Sequence, residues 1–287
     1  MDMEEKEINA LISLLDDDDK SVLSMVMEKI TSLGAKMIPY LEAEWEKSFN
    51  PKVQERIENI THSLQFELVK ERLREWYLED ENDLLKGMWI ISTYQYPDLE
   101  LESLEQDLEQ IYYEAWLSFK SDMHPHDQVK TLNGVFFWNL KFSPNLKNFH
   151  SPANSFINRV LESKKGNPIT LCVLYLLIAT KLKLPIYGVN LPNLFVLTFK
   201  QERYPQFYIN VYNKGLVFTR DDIENYIHES KITPKDSYFQ PCGNKDIIRR
   251  VLRNLIIAFE KVSEKEKVEE VSELLKIVSD DIDLFNV

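Results

Sequence analysis

Residues 166–182 of the chain read GNPITLCVLYLLIATKL, and this stretch decides the fold. The Gly-Asn-Pro start is typical of a helix N-terminus, where proline fits the first turn. From Ile169 to Leu182 nearly every position is apolar, so the helix has no face suited to water. A helix that is hydrophobic on all sides is buried on all sides. The sequence therefore predicts a central helix with other elements packed around it.

The residues after this helix change to a pattern typical of strands. Runs rich in valine, isoleucine, phenylalanine and tyrosine occupy residues 186–191, 194–199 and 206–212. Proline, asparagine and glycine separate these runs, as turns require. We predict a small antiparallel sheet, then a helix over residues 220–228 capped by Thr219. Two charged helices, over residues 247–262 and 264–279, are predicted to close the chain.

The region before the central helix predicts one helix after another. Apolar residues recur at helical spacing in residues 8–15, 22–33, 37–45 and 53–64, with breaks at residues 16–19, Gly34 and Pro51. Short helix pairs of this kind resemble HEAT-like repeats, in which neighbouring pairs must stack to bury their apolar faces. Further helices are predicted on either side of residues 96–98, over residues 127–139, and from Ser151-Pro152.

These patterns predict a predominantly helical α+β protein. The content of only seven glycines in 287 residues agrees, because tight hairpins need residues that tolerate positive φ. The predicted domains are a helical, HEAT-like region over residues 1–85, a core over residues 86–242, and a C-terminal helical pair over residues 243–287.

Charge and cysteine content exclude several classes of function. The formal net charge of −13 argues against nucleic acid as an electrostatic partner. The two cysteines, Cys172 and Cys242, cannot form a disulfide framework. The acidic start MDMEE is unlike a signal peptide, and the apolar residues 169–182 are too few to span a bilayer. We therefore expect a cytoplasmic protein with no membrane or nucleic-acid partner.

Several blocks of sequence, in the same order, resemble one family. They are NSFI at residues 154–157, VLE at 160–162, GNPITL at 166–171, LYL at 174–176 and LPIYGVNLP at 184–192. This order is similar to the SirB-type branch of the transglutaminase-like superfamily, and the resemblance covers about residues 120–230. Residues 248–255 resemble the helix that follows in that family. The resemblance implies a core in which the central helix faces the small sheet.

The resemblance also implies where a catalytic site would lie. Superfamily enzymes resemble cysteine proteases, with a nucleophile at the N-terminus of the buried helix and a histidine and an aspartate on the sheet. The helix N-terminus favours a thiolate, the histidine moves the proton, and the carboxylate orients the imidazole. Here Leu194 stands at the histidine position and Asn210 at the aspartate position. Block spacing places Thr170 in the nucleophile position, with Cys172 about one turn deeper.

Two hypotheses of function follow. In the first, the protein is a non-catalytic binding or scaffold module of the bacterial cytoplasm, with a protein or peptide partner. Asn193, Phe195, Tyr208 and Tyr212 are its candidate binding residues. In the second, it is a cysteine-dependent acyl-transfer or peptidase-type enzyme. Cys172 would then be the nucleophile, with the base relocated to His150 or His228, which lie outside the matched blocks.

A metal site is the third possibility that the sequence raises. His124 and His126, two positions apart and flanked by Asp122 and Asp127, could bind a divalent ion. Such loops are common, and Pro125 favours the start of a helix instead. We therefore predict neither a metal nor a cofactor, and the oligomeric state is left open.

Overall fold

A computed structural model describes residues 5–279 of the chain. The acidic residues 1–4, on which the argument against a signal peptide rests, lie outside the described residues, as do residues 280–287. The chain divides into two compact units, residues 1–72 and 73–287. The predicted domain boundaries after residues 85 and 242 stay predictions.

The first unit is helical. It contains α1 (Glu5–Ser13), α2 (Lys20–Leu33), α3 (Ile38–Lys47) and the first part of α4 (Pro51–Glu79). Gly34 ends α2 with a φ of 73°, a conformation that glycine adopts without strain. The predicted apolar stripes meet in one core, which comprises Ile8, Ile12, Leu15, Val26, Ile30, Met37, Leu41, Val53, Ile57, Ile60 and Leu64. The predicted helices are confirmed, whereas their relation to HEAT repeats stays a prediction.

The helices of the second unit surround the predicted central helix. They are α5 (Leu84–Thr93), α6 (Leu101–Ser118), α7 (Pro125–Asn133), α8 (Ile157–Ser163), α9 (Pro168–Lys181), α10 (Arg220–Glu229), α11 (Asn244–Lys261) and α12 (Lys265–Ile277). The central helix is α9, whose residues from Ile169 to Leu176 are all buried. It packs against α6, α8 and α11 and against the sheet. This confirms the fold class and the predicted burial.

The main sheet is an antiparallel meander of four strands. They lie in the order β3 (Ile186–Leu191), β4 (Leu194–Gln201), β5 (Tyr204–Asn210) and β6 (Leu216–Phe218). The strand predicted over residues 206–212 ends earlier, because the Asn210 side chain starts a tight turn over residues 211–213. The last strand was not predicted, since three residues are too few for a period. Neither was a short parallel pair, β1 (Ser143–Pro144) with β2 (Lys165–Gly166).

Two predicted helix starts need correction. The helix predicted over residues 127–139 begins at Pro125, is capped by His124, and changes at Gly134 to a π-helical segment. Ser151-Pro152 opens only a short 3₁₀ turn, and the Ser151 side chain makes no capping bond. By contrast, Thr219 caps α10 as predicted, with Asp222 completing a capping box.

No helix within residues 5–279 is both long enough and apolar enough to cross a membrane.

Candidate functional site

The start of α9 is organised by an asparagine cap. The Asn167 Oδ1 accepts a hydrogen bond from the Thr170 N–H at 3.0 Å, which satisfies one of the unpaired donors of the first helical turn. The Asn167 Nδ2 donates to the Ser155 Oγ at 2.9 Å. The Asn167 side chain therefore fixes the helix start by bonding both to the first turn of α9 and to Ser155.

A pocket of about 190 Å³ lies beside this helix start. We call it the α9 pocket. Its polar lining comes from four segments and comprises His150, Ser151, Asn167, Asn193, Arg250 and Asn254. Its apolar lining comprises Phe149, Pro168, Ile169, Phe195, Ile257 and Ala258. The pocket thus lies at the N-terminus of the central helix, near which the family resemblance implies a catalytic site.

One face of α11 supplies the cation of the α9 pocket. Arg250, Asn254, Ile257 and Ala258 are spaced i, i+4, i+7 and i+8, so they share one side of the helix. The Arg250 Nη1 donates to the Asn190 Oδ1 at 3.2 Å and to the Leu191 main-chain oxygen at 3.1 Å. Burial, and then the like charge of Arg253, lower the pKa of Arg250.

The two candidate nucleophiles lie outside the α9 pocket. Thr170 and Cys172 are fully buried, and neither is among the described residues that line the cavity. The Thr170 Oγ1 has no hydrogen-bond partner within residues 5–279. The Cys172 Sγ donates to the Phe195 main-chain oxygen at 3.6 Å, and burial raises the pKa of this thiol. Both groups are therefore packed inside the core as neutral side chains.

The two residues that the resemblance assigns to the histidine and aspartate positions, Leu194 and Asn210, have structural contacts. Leu194 packs against an apolar cluster formed with α10, whereas its neighbours Asn193 and Phe195 line the α9 pocket. The Asn210 Oδ1 accepts a hydrogen bond from the Asn213 N–H at 3.0 Å and so shapes the turn after β5. Leu194 cannot transfer a proton, and the neutral amide of Asn210 cannot supply the negative charge that an aspartate places beside an imidazolium.

The structure places two of the four candidate binding residues at the α9 pocket. Asn193, with a φ of 58°, and Phe195 are at the α9 pocket. The Tyr208 hydroxyl donates to the Phe239 main-chain oxygen at 3.0 Å on another side of the sheet. The Tyr212 ring is 6.5 Å from the ring of Phe149, which lies at the pocket edge. The predicted set is therefore not one continuous site.

The histidines also occupy separate places. His150 lines the α9 pocket, and His228 is exposed in the last turn of α10. Within residues 5–279, no hydrogen bond joins either imidazole to Cys172. The rings of His124 and His126 stack at 5.6 Å, and the His124 Nδ1 accepts a hydrogen bond from the His126 N–H.

Aromatic rings surround the two histidines proposed as weak metal ligands. The His126 ring stacks on Phe207 at 4.3 Å, and the His124 ring meets Tyr204 edge-on at 5.2 Å. In the part of the chain that the structure describes, no group of three or more histidine, cysteine, aspartate or glutamate residues is arranged to hold a metal ion. The contacts observed for this pair are those of a helix cap packed on the sheet.

Sequence reasoning did not place Arg250 and Asn254 at a pocket. Their helical spacing to Ile257 and Ala258 was a usable signal, because it places two polar and two apolar side chains on one face of α11. That signal does not say what the face meets. Only the packing of α11 beside α9 brings it to the pocket.

Comparison with known proteins supports the resemblance seen in the sequence. The family model for the transglutaminase-like superfamily matches residues 102–253, which run from α6 to α11. A UPF0162 protein of Xylella fastidiosa is 27% identical over 186 residues, which are 62% of this chain and 66% of the relative. A UPF0162 protein of Vibrio cholerae is 24% identical over 60% of this chain and 65% of the relative.

Human F-box only protein 21 is also similar, with 27% identity over 55% of this chain. The match covers 24% of that protein. In each of these relatives, the matched region spans less than two thirds of the relative's own length. No solved structure matches the chain.

Proposed function

Because the chain belongs to the transglutaminase-like superfamily, we propose that it is a non-catalytic member whose core serves as a binding or scaffold module. Its partner in this proposal is a protein or peptide, bound without covalent chemistry in the cytoplasm. The binding site is the α9 pocket, at the place where catalytic relatives of this fold would hold their nucleophile.

The state of Cys172 is the observation that carries the proposal. A nucleophilic cysteine needs an exposed sulfur, a lowered pKa and a base within about 2.6–3.2 Å. The Cys172 sulfur is buried, its pKa is raised by burial, and its proton is directed to a main-chain oxygen. All three features oppose thiolate chemistry.

The two positions assigned by resemblance support the same interpretation. Leu194 has no group that can take a proton, and the carboxamide of Asn210 carries no charge. Both side chains also have other contacts, in an apolar cluster and in a turn. Both residues therefore favour binding over catalysis as the role of this core.

The competing function is a cysteine-dependent acyl-transferase or peptidase with a relocated histidine. One observation favours it, namely that His150 lines the α9 pocket. For this enzyme to work, Cys172 would have to move from the core into that pocket. His228, exposed at the end of α10, does not line this pocket.

A turnover assay separates the two functions. Purified full-length protein and its Cys172→Ala variant are incubated with thioester and amide substrates, and product is followed by mass spectrometry. We expect equal background rates from both proteins. Turnover by the wild type that disappears in the Cys172→Ala variant would overturn the proposal.

The same pair of proteins tests the binding role. Affinity purification from native lysate should recover one set of partners with the wild type and with Cys172→Ala, because the proposed contact does not use the thiol. Partners that are held only by the wild type through a bond sensitive to reducing agent or hydroxylamine would indicate covalent chemistry instead.

A further inference from the structure

The α9 pocket contains a positive charge without a negative one. Its described lining includes Arg250 but no aspartate or glutamate. The two acceptors that Arg250 does contact, the Asn190 amide oxygen and the Leu191 carbonyl, are both neutral. A partly buried charge that lacks a counter-charge is costly, so the site favours an anion.

The unused donors of Arg250 have the geometry for a particular anion. Both of its hydrogen bonds to described residues use Nη1, which leaves Nε and Nη2 without an acceptor among residues 5–279. The N–H groups of Nε and Nη2 lie side by side and parallel on one edge of the guanidinium. This edge matches the two oxygens of a carboxylate, which accept such a pair in a bidentate arrangement.

The other lining groups suit the end of a peptide. Asn193 and Asn254 offer amide groups to a peptide backbone, while Phe195, Ile169 and Ile257 offer apolar contact to a side chain. The cavity of about 190 Å³ is smaller than the usual ligand pocket of about 300–1,000 Å³. The cavity therefore has room for the terminal residue of a peptide but not for a typical drug-sized ligand.

We propose that the α9 pocket captures the C-terminal carboxylate of a peptide or protein partner, with the Nε and Nη2 of Arg250 as the bidentate donors. Capture of a terminal carboxylate by convergent donors is a known mode of peptide recognition. This inference rests on the proposed binding function and names the part of the partner that is bound. The neighbouring N-terminus of α9 adds a favourable dipole for the same negative charge.

Two peptide pools provide the probe. One pool holds N-acetylated tetrapeptides, random at every position, with a free C-terminal carboxylate; the other holds the same peptides as C-terminal amides. Full-length protein is mixed with each pool, and bound peptides are identified by affinity selection and mass spectrometry. We expect free-acid members to bind at least about tenfold better than their amides, the factor expected for a charge-assisted pair.

Matched variants test the position of the site. Ile257 lies at the pocket and is 47% exposed, so Ile257→Glu adds a negative charge there without disturbing the core. Met25, 69% exposed on a helix of the first unit, accepts the same change as a control. We expect Ile257→Glu to lose free-acid binding and Met25→Glu to retain it. Arg250→Lys keeps the charge but not the paired donors, and it should reduce the preference for free acids over amides.

Several outcomes would overturn this inference while leaving the proposed function intact. They are equal binding of acids and amides, selection of amides with aspartate or glutamate side chains, an equal effect of the two glutamate variants, and no selection of either pool. Failure of the proposed function would be seen separately, as turnover that depends on Cys172.

Discussion

Replacing Thr170 by valine should stabilise the protein, although the family resemblance assigns Thr170 to the nucleophile position. Its side chain is fully buried, and its Oγ1 has no hydrogen-bond partner among the described residues. A buried hydroxyl without a partner loses its hydration and gains nothing in return. Valine has nearly the same shape and places a methyl group where the hydroxyl was.

The magnitude follows from the desolvation of one hydroxyl. An unsatisfied buried donor costs about 1–3 kcal/mol, and threonine and valine have similar helix propensities. We expect Thr170→Val to raise the free energy of unfolding by about 1 kcal/mol, the lower end of that range. For a unit of this size, residues 73–287, the change corresponds to about 2–4 °C in the melting temperature.

A second buried threonine provides the matched control. Thr198 is as fully buried as Thr170, but its Oγ1 donates to the Phe207 main-chain oxygen at 2.9 Å and accepts from the Gln206 Nε2 at 3.1 Å. Thr198→Val removes both hydrogen bonds and should lower the free energy of unfolding by about 1–3 kcal/mol. Both residues belong to the second unit, so urea unfolding followed by circular dichroism should show the same transition moving in opposite directions.

The sign of the Thr170→Val effect decides the interpretation. If this variant is destabilised as much as Thr198→Val, then the Thr170 hydroxyl has a partner in solution. The nucleophile position would then be a polar site in use, and the description of an inert, packed helix start would be wrong.

Three further predictions concern the same core. Between pH 7 and 9, iodoacetamide should alkylate Cys172 more slowly in the folded protein than in urea, because burial raises the pKa of its thiol and the thiolate forms only at higher pH. Peptide mass spectrometry measures the two rates, and a faster rate in the folded protein would contradict the prediction. Gly87→Ala should lower the free energy of unfolding by about 1–3 kcal/mol in urea unfolding, because the new Cβ would lie 2.9 Å from the Trp76 ring. Gly134→Ala meets no atom within 4 Å on a helical backbone, so it should instead raise that free energy by about 0.4–1 kcal/mol. Asn167→Ala should lower the free energy of unfolding by about 0.5–2 kcal/mol, because α9 loses its N-terminal cap, and Asn167→Ser, which keeps an accepting oxygen, should lower it less. Equal losses for the two variants in urea unfolding would exclude capping as the cause.

Much of the architecture could be predicted because it depends on local periodicity. The mostly apolar residues 169–182 required a buried helix, and the stripes in residues 8–64 required helices that share a core. Prediction failed for β1, β2 and β6 because these strands are too short to show an alternating pattern. It also failed where a side chain ended the element. Asn210 is the clearest case, because its hydrogen bond to the Asn213 N–H converts the end of a predicted strand into a turn.

The candidate site divides along the same line. From residue types alone, Leu194 and Asn210 cannot supply a base and an orienting anion, and no tertiary contact can change that chemistry. Where a side chain lies is different, because burial depends on which elements pack together. Packing placed Thr170 and Cys172 in the core and set the Asn254 and Arg250 face of α11 against the start of α9.

The sequence by itself thus determined most of the helices and the buried central helix, since these follow from residue chemistry and spacing along one chain. The pocket and its unneutralised arginine were decided only by the tertiary structure. Residues 150, 167, 193 and 250 are far apart in sequence, and no local pattern encodes their meeting. They meet because the elements that carry them pack around the buried α9.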